Sequence, residues 1–171
     1  MFSISEEIST LDEDGMIKSA GVLLYRMRSD SLEVLLVHPG GPLWAGKDEG
    51  AWSIPKGLID KDERPREAAL REFHEETGCD ASEECTPLTA VKLKGGKTIF
   101  AWACEGECDA AAVTSNTFTM EWPPRSGRKQ EFPEVDRAGW FAMDEALKKI
   151  SPGQTSLLRE LRSKLEAKIL P

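Results

Sequence analysis

The chain has 171 residues, with 30 acidic against 22 basic side chains and a formal net charge of −8. At that length a single domain of roughly 150 residues is expected, with a core large enough to need no covalent staples. The charge balance excludes broad, sequence-independent binding to nucleic acid, which needs a cationic face, but leaves room for a local basic pocket for a small anion.

From the N-terminus, residues 1–17 carry Glu6, Glu7, Asp12, Glu13 and Asp14 and no sustained periodicity, so they read as an acidic arm. They lack the basic-then-apolar order of a signal peptide, and no apolar run approaches the ~18 residues of a membrane span. A cytoplasmic location with no membrane contact is the expectation. The domain proper runs over 18–171. Ser19–Met27 and Leu32–His38 are β-rich runs joined by Arg28-Ser-Asp-Ser31, a hairpin signature. Leu43–Ala51 reads as a polar loop, and Trp52-Ser-Ile54 as a short strand.

Pro65–Thr77 is the clearest helix, with Pro65 at its first position, Glu67 in the first turn and Gly78 placed for a left-handed C-terminal residue. Leu88–Lys94 and Thr98–Glu105 flank Gly95-Gly96, a second hairpin signal. Ala110–Glu131 reads as a long functional loop, Ala138–Met143 as a last strand, and Leu158, Leu161, Leu165 and Ile169 as the apolar stripe of a terminal helix. Cys79, Cys85, Cys104 and Cys108 form no C-x-x-C pair and are expected to be free thiols in the core rather than disulfides or zinc ligands. Altogether this is a mixed α+β chain with about two long helices.

At about 100° per residue, Glu72, Glu75 and Glu76 share one arc of the helix while Leu70, Phe73 and Thr77 face the other way. Like charges at these spacings cost several tenths of a kcal/mol per pair unless a cation offsets them, and Mg²⁺ takes such oxygen ligands together with substrate phosphates. Gly57, lacking a side chain, lets its backbone carbonyl approach the same spot. Ala68, one turn below, is expected to leave room for a substrate. Glu63 adds a carboxylate at the helix start, and Arg71 can hold one carboxylate in orientation. On spacing alone, a solvated glutamate face is the commoner reading of the three.

The longer pattern carries more. Gly57, Glu63, Arg71-Glu72, Glu75-Glu76 and Gly78, at these spacings, resemble the Nudix box G-x5-E-x7-R-E-U-x-E-E-x-G-U at every fixed position. Phe73 and Cys79 stand where bulky aliphatic residues are usual. The resemblance implies an α/β/α sandwich with a mixed central β-sheet. It also implies a pyrophosphohydrolase using Mg²⁺, with Mn²⁺ as a substitute, that acts on a nucleoside diphosphate linked to another group. It places metal binding at the Gly57 carbonyl, Glu72, Glu75 and Glu76, the proton acceptor at Glu72 or Glu76, and Arg71 and Glu63 in support.

Trp52-Ser-Ile-Pro-Lys-Gly57 and Glu134-Val-Asp-Arg-Ala-Gly-Trp140 resemble segments of asymmetric diadenosine tetraphosphate hydrolases. That resemblance makes Lys56 a phosphate contact and Glu134 a further metal ligand or base. Arg125 and Arg128, with Lys92, Lys94 and Lys97 as alternatives, are candidates for gripping phosphate, and Trp44 and Trp122 for stacking on a base. A dinucleoside polyphosphate is the first substrate expected. An oxidised deoxynucleoside triphosphate, an RNA 5′ end, a diphosphoinositol phosphate, or nucleotide binding without catalysis stay open. The partner expected is a small nucleotide, and the protein a monomer or weak dimer.

Overall fold

The computed structural model describes residues 15–169. The acidic stretch Met1–Asp14 and the side chain of Ile169 lie outside the described residues. Just before the expected start of the domain, the Ile17 carbonyl accepts a hydrogen bond from the Thr98 amide.

β1 (Lys18–Arg28) and β2 (Ser31–Pro39) form the first hairpin, paired from Tyr25–Val34 to Arg28–Ser31. Ser29 and Asp30 both take positive φ, 50° and 63°, as a two-residue turn with the strands' own twist requires. β3 (Lys56–Leu58) lies antiparallel on the start of β1. β4 (Cys85–Pro87) and β5 (Val91–Lys92) pair with β6 (Thr98–Glu105), and β6 runs parallel to β1 from Lys18–Thr98 to Tyr25–Glu105. β9 (Val135–Ala142) closes the far edge against β2. Among the described residues the main sheet thus has the order β4-β6-β1-β2-β9, with β3 and β5 attached to its margins.

Strand alternation divides the core between two faces. Ala20, Val22, Leu24, Leu35 and Cys104 pack under α1 (Pro65–Thr77) against Ala68, Ala69 and Phe73. Leu23, Val34, Leu36, Ile99, Ala101 and Ala103 face α2 (Met143–Lys149) and α3 (Thr155–Ile169), meeting Ala146, Leu157, Leu158 and Leu161. This is the three-layer arrangement expected. Each fully buried Leu, Ile or Phe is worth about 1.5–3 kcal/mol, so helix α1 is held to the sheet mainly through Phe73. Its ends are as foreseen. Arg64 offers no side-chain cap, Pro65 starts the helix, and Gly78 ends it at φ 76°, donating its amide to the His74 carbonyl at 2.7 Å.

Five expectations are corrected. The cysteines are not free: Cys79 is joined to Cys108 and Cys85 to Cys104, the latter directly opposite each other across β4 and β6. The stretch 110–131 is not one loop. It holds a 3-10 turn at Ala110–Ala112 and a separate hairpin, β7 (Thr117–Glu121) with β8 (Lys129–Pro133). Leu88–Lys94 contributes only the two residues of β5, and Trp52-Ser53 makes isolated bridges to Ile150 and Val37 rather than a strand. Finally, Ala68 is fully buried on the sheet-facing side of α1, so it opens no room for a substrate.

Candidate active site

Gly57, in β3, sits against the carboxylate face of α1. A Cβ at this position would lie 2.1 Å from the carboxyl carbon of Glu72, so the absence of a side chain is what lets strand and carboxylate meet. Arg71 is the hub of the face. It donates from Nε and Nη2 to the two oxygens of Glu63 at 2.8 and 2.9 Å, and from Nη1 to Glu72 at 2.8 Å and Glu75 at 3.1 Å. Its Nη2 also reaches the Leu58 carbonyl at 3.0 Å, which ties the helix to the end of β3. Glu63 in turn accepts from the Asp60 amide. The two-pronged Arg71–Glu63 pair holds Glu63 below the usual carboxylate range and raises Arg71.

The remaining carboxylates lean the other way. Burial raises Glu72 despite the bonds from Arg71, and it raises Glu134 most of all among that residue's influences, with Glu75 adding repulsion. Burial also pushes Glu76 up to about 8, with Glu72 and Glu134 reinforcing the shift. Lys56 is driven down to about 8 by the same burial and by Lys97, while Glu76 and Lys56 each oppose the other's shift. Glu76 accepts from the Lys56 amide at 3.0 Å. Between Glu76 and Glu134 lies a cleft of 110 Å³ also lined by Pro39, Lys56 and Val135.

The structure therefore brings Gly57, Glu63, Arg71, Glu72, Glu75, Glu76, Glu134 and Lys56 into one neighbourhood. Lys97, from the second hairpin, is near enough for its charge to lower the proton affinity of Lys56. Trp122, Arg125 and Arg128 are not there. They sit at the tip of the β7–β8 hairpin, where the Trp122 amide bonds the Arg128 carbonyl. Lys129 alone is four strand residues from Pro133 at the hairpin base, about 14 Å along the strand. Trp44 is near the base instead, beside Gly40, Gly41, Phe118 and Met120. Trp52 and Trp140 fill structural places, the first buried and bonded to Asp48, the second donating to the Cys108 carbonyl.

Sequence reasoning passed over His38 as a strand end. It is fully buried, with Nδ1 2.9 Å from Asp136 Oδ1 and Nε2 2.7 Å from the Lys47 carbonyl. His38 thereby fastens the Trp44–Lys47 turn to β9, the strand that follows Glu134. No sequence signal marks this, since its partners are 9 and 98 residues away.

The donor set is oxygen only, as Mg²⁺ prefers, and the mutual repulsion of Glu72, Glu76 and Glu134 is what a cation offsets. The glycine cradle at 57 fits the same group. Among the described residues no three acidic, His or Cys side chains already converge as a ligand set. Instead Glu72 and Glu75 rest on Arg71, and Glu76 on the Lys56 amide.

The NUDIX domain family model matches residues 16–161. An RNA pyrophosphohydrolase of Brucella anthropi is 32% identical over 154 residues, covering 75% of this chain and 83% of that protein. One from Brucella ovis is 34% identical over 125 residues, covering 58% and 67%. Among solved structures, a C. elegans Ap4A hydrolase binary complex superposes with a TM-score of 0.64 at 22% identity, over 87% of this chain and 98% of that one. The NUDIX domain of Shewanella oneidensis NrtR complexed with ADP ribose gives 0.63 at 18%, over 96% and 99%. At such identities these two likenesses bear on the fold alone.

Proposed function

The chain belongs to the NUDIX family, and on that premise we propose that it hydrolyses a pyrophosphate bond in a nucleoside polyphosphate, a dinucleoside polyphosphate first. The observation that carries this reading is the small cleft lined by Glu76, Glu134 and Lys56, with Glu72 and Glu75 beside it on α1 and Gly57 admitting the Glu72 carboxylate. Glu72, Glu75, Glu76, Glu134 and the Gly57 carbonyl would hold Mg²⁺, with Mn²⁺ as its substitute. When bound, the cation supplies charge neutralisation for the pyrophosphate oxygens and acidifies water.

The chain's own residues do the rest. Glu76, positioned by its bond from the Lys56 amide, or Glu72 beside Arg71 takes a proton from the water that attacks phosphorus. The bridging P–O bond breaks and its electron pair leaves with the departing phosphate. Arg71 keeps Glu72 and Glu75 in place, and Glu63 keeps Arg71 in place. Lys56 and Lys97 meet the charge of the phosphates, which is where catalysis of phosphoryl transfer chiefly lies. Trp122, Arg125 and Arg128 are assigned to the distal half of a long substrate. A 5′-triphosphorylated RNA end is the second reading, favoured by the names of the curated relatives.

The test is product analysis with Mg²⁺ across diadenosine tetraphosphate, a 5′-triphosphorylated RNA, 8-oxo-dGTP, ADP-ribose and a diphosphoinositol phosphate, beside Glu76→Gln. ATP plus AMP from the first, with a ~10²–10⁴-fold loss of kcat in the variant, supports the proposal. Preference for the RNA end replaces the substrate and keeps the mechanism. No Mg²⁺-dependent turnover of any compound overturns it.

A further inference from the structure

Two carboxylates of the cleft come from distant parts of the chain, Glu76 from α1 and Glu134 from the residue before β9. Their separation matters, because a misplacement of about 1 Å at a reacting group costs ~10²-fold in rate. The segment from Cys108 to Asn116 links the two. At its far end the Asn116 carbonyl accepts from the Glu134 amide at 2.8 Å. Ser115 Oγ accepts from the next amide, that of Val135, at 3.0 Å. The same hydroxyl lies 2.9 Å from the Asn116 carbonyl and 3.2 Å from that of Val135, either of which its proton can serve. At the near end Cys108 is joined to Cys79, which follows Gly78 at the end of α1. The Cys79 amide donates to Thr77 Oγ1 at 3.1 Å, and Thr77 Oγ1 donates to the Phe73 carbonyl at 2.6 Å. The bridge is thus locked onto the last turn of the helix that carries Glu76.

Between its ends the segment is held to α1 more lightly. The turn at Ala110–Ala112 is capped from within, Asp109 accepting from the Ala111 amide at 3.1 Å. The Thr114 amide reaches the Thr77 carbonyl only at 3.4 Å, long for such a bond. The Cys108 carbonyl is bonded by Trp140, which belongs to β9 and not to the helix. The disulfide is therefore the strong link between helix and segment. It is also within reach of solvent. Cys79 and Cys108 both line a surface cavity of 560 Å³, together with Arg26, Arg28, Glu107 and Trp140. Arg26 is taken up by Glu33 and Glu107, at 2.9 and 2.7 Å. Arg28 adds a second cation to the wall, and nearby cations favour the thiolates through which thiol–disulfide exchange passes. The other bridge differs, since Cys104 is fully buried and neither Cys85 nor Cys104 lines this cavity.

We propose that residues 108–116 form a positioning strap for Glu134, with Ser115 as its positioning residue, and that a dithiol opening the Cys79–Cys108 bridge slackens it. The inference rests on the pyrophosphohydrolase reading above and on Glu134 belonging to its site. A thiolate of the dithiol attacks the sulfur of Cys79, the less buried of the two residues, and the S–S electron pair leaves with Cys108. The second thiolate of the dithiol then closes on the first sulfur, and Cys79 leaves as a thiolate. Two electrons pass from the dithiol to the protein, and the two protons that the dithiol sheds are taken up by the cysteines. With the bridge closed, the strap fixes the Glu134 backbone relative to the end of α1. With it open, the Ser115–Asn116 cradle moves free of the helix and takes Glu134 away from Glu76.

The experiment follows amide exchange and kinetics in parallel, with and without dithiothreitol, well below the melting temperature. The proteins are wild type, Cys79→Ala with Cys108→Ala, Cys85→Ala with Cys104→Ala, Ser115→Ala, Ser115→Thr and Glu134→Gln. In metal-free wild type, dithiothreitol should speed exchange of the Glu134 and Val135 amides about tenfold, the effect of losing one hydrogen bond. Cys85→Ala with Cys104→Ala responds as the wild type does. Cys79→Ala with Cys108→Ala exchanges fast from the outset and ignores dithiothreitol. Ser115→Ala exchanges fast without reductant, and Ser115→Thr, which keeps the hydroxyl, restores protection. With Mg²⁺ and whichever polyphosphate is turned over, each loosened form loses about tenfold or more in kcat while KM stays within about twofold. In Glu134→Gln the reductant removes nothing further, since no carboxylate is left to misplace. Freed thiols with unchanged exchange at Glu134 and Val135 overturn the inference. So does faster exchange with unmoved kcat, or an equal fall in kcat when Glu134→Gln is reduced, which marks general loosening. Wild-type protein whose amides respond in this way but which hydrolyses no polyphosphate overturns the hydrolase reading and leaves the strap standing.

Discussion

Replacing Gly57 by alanine separates the site from the fold. The new Cβ would stand 2.1 Å from the Glu72 carboxyl carbon, and ordinary contact begins at 3.4 Å, so the carboxylate must withdraw by about 1.3 Å. It can do so, being the end of a flexible side chain. The movement breaks or stretches its bond to Arg71, now 2.8 Å. Gly57 lies in an extended strand without a positive φ, so alanine adopts its backbone, and the stiffer unfolded chain returns ~0.4–1 kcal/mol. Stability should change by no more than about 1 kcal/mol, a shift of ~2–4 °C in Tm. A displacement of this size at a catalytic group costs ~10²-fold in rate. Steady-state kinetics with Mg²⁺, beside a thermal melt, reads both numbers. Wild-type kcat in the alanine variant would refute the reasoning that Gly57 exists to admit Glu72. A Tm loss beyond ~10 °C would refute the claim that Glu72 yields freely.

Titration of Glu76 leaves a mark on stability in metal-free protein. Its folded pKa of about 8 exceeds the unfolded value near 4.3, so between those values the folded state holds a proton that the unfolded state has released. That stabilisation is complete below pH ~4.3 and is lost as pH rises through about 8. Glu76→Gln cannot titrate, so in EDTA its Tm should gain on that of the wild type from pH 5 to pH 8, and a constant difference across that window contradicts the burial of this carboxyl group. The Cys79–Cys108 bridge spans 29 residues, for which chain entropy suggests a contribution of about 3–4 kcal/mol. Cys79→Ala with Cys108→Ala should lower Tm by several degrees and make it less sensitive to reductant; a wild-type Tm that ignores reductant from the outset would mean that the thiols are unpaired.

What the sequence determined by itself is what neighbouring residues enforce on one another. Helix α1 was legible to the residue because Pro65 can start a helix and Gly78 can end one in a left-handed conformation, and both act locally. The first hairpin was legible because Ser29-Asp30 tolerates the turn its strands require. The glutamate face followed from helical period alone, and the box spacing that singled it out lies within 23 residues, Gly57 to Cys79. Where contacts join distant parts of the chain, the reading failed or stopped. β7 and β8 are mostly exposed strands, β7 half-burying Phe118 and Met120 and β8 only Phe132, with Pro123-Pro124 at their tip, so their pattern is that of a polar loop until the two are paired. α2 spans seven residues, too few for a period to show. The cysteine pairs are made by a helix end meeting a loop and by two strands in register, and neither proximity is written in spacing. Glu134 faces Glu76 because β9 pairs with β2 and carries its preceding residue up to Gly40. The cavity lined by Trp44 exists because Phe118, 74 residues further on, is folded back over two glycines that have no side chains to block it. Local sterics and hydrogen bonds can be read along a chain, but burial, charge proximity and cavities depend on which distant segments the sheet brings together.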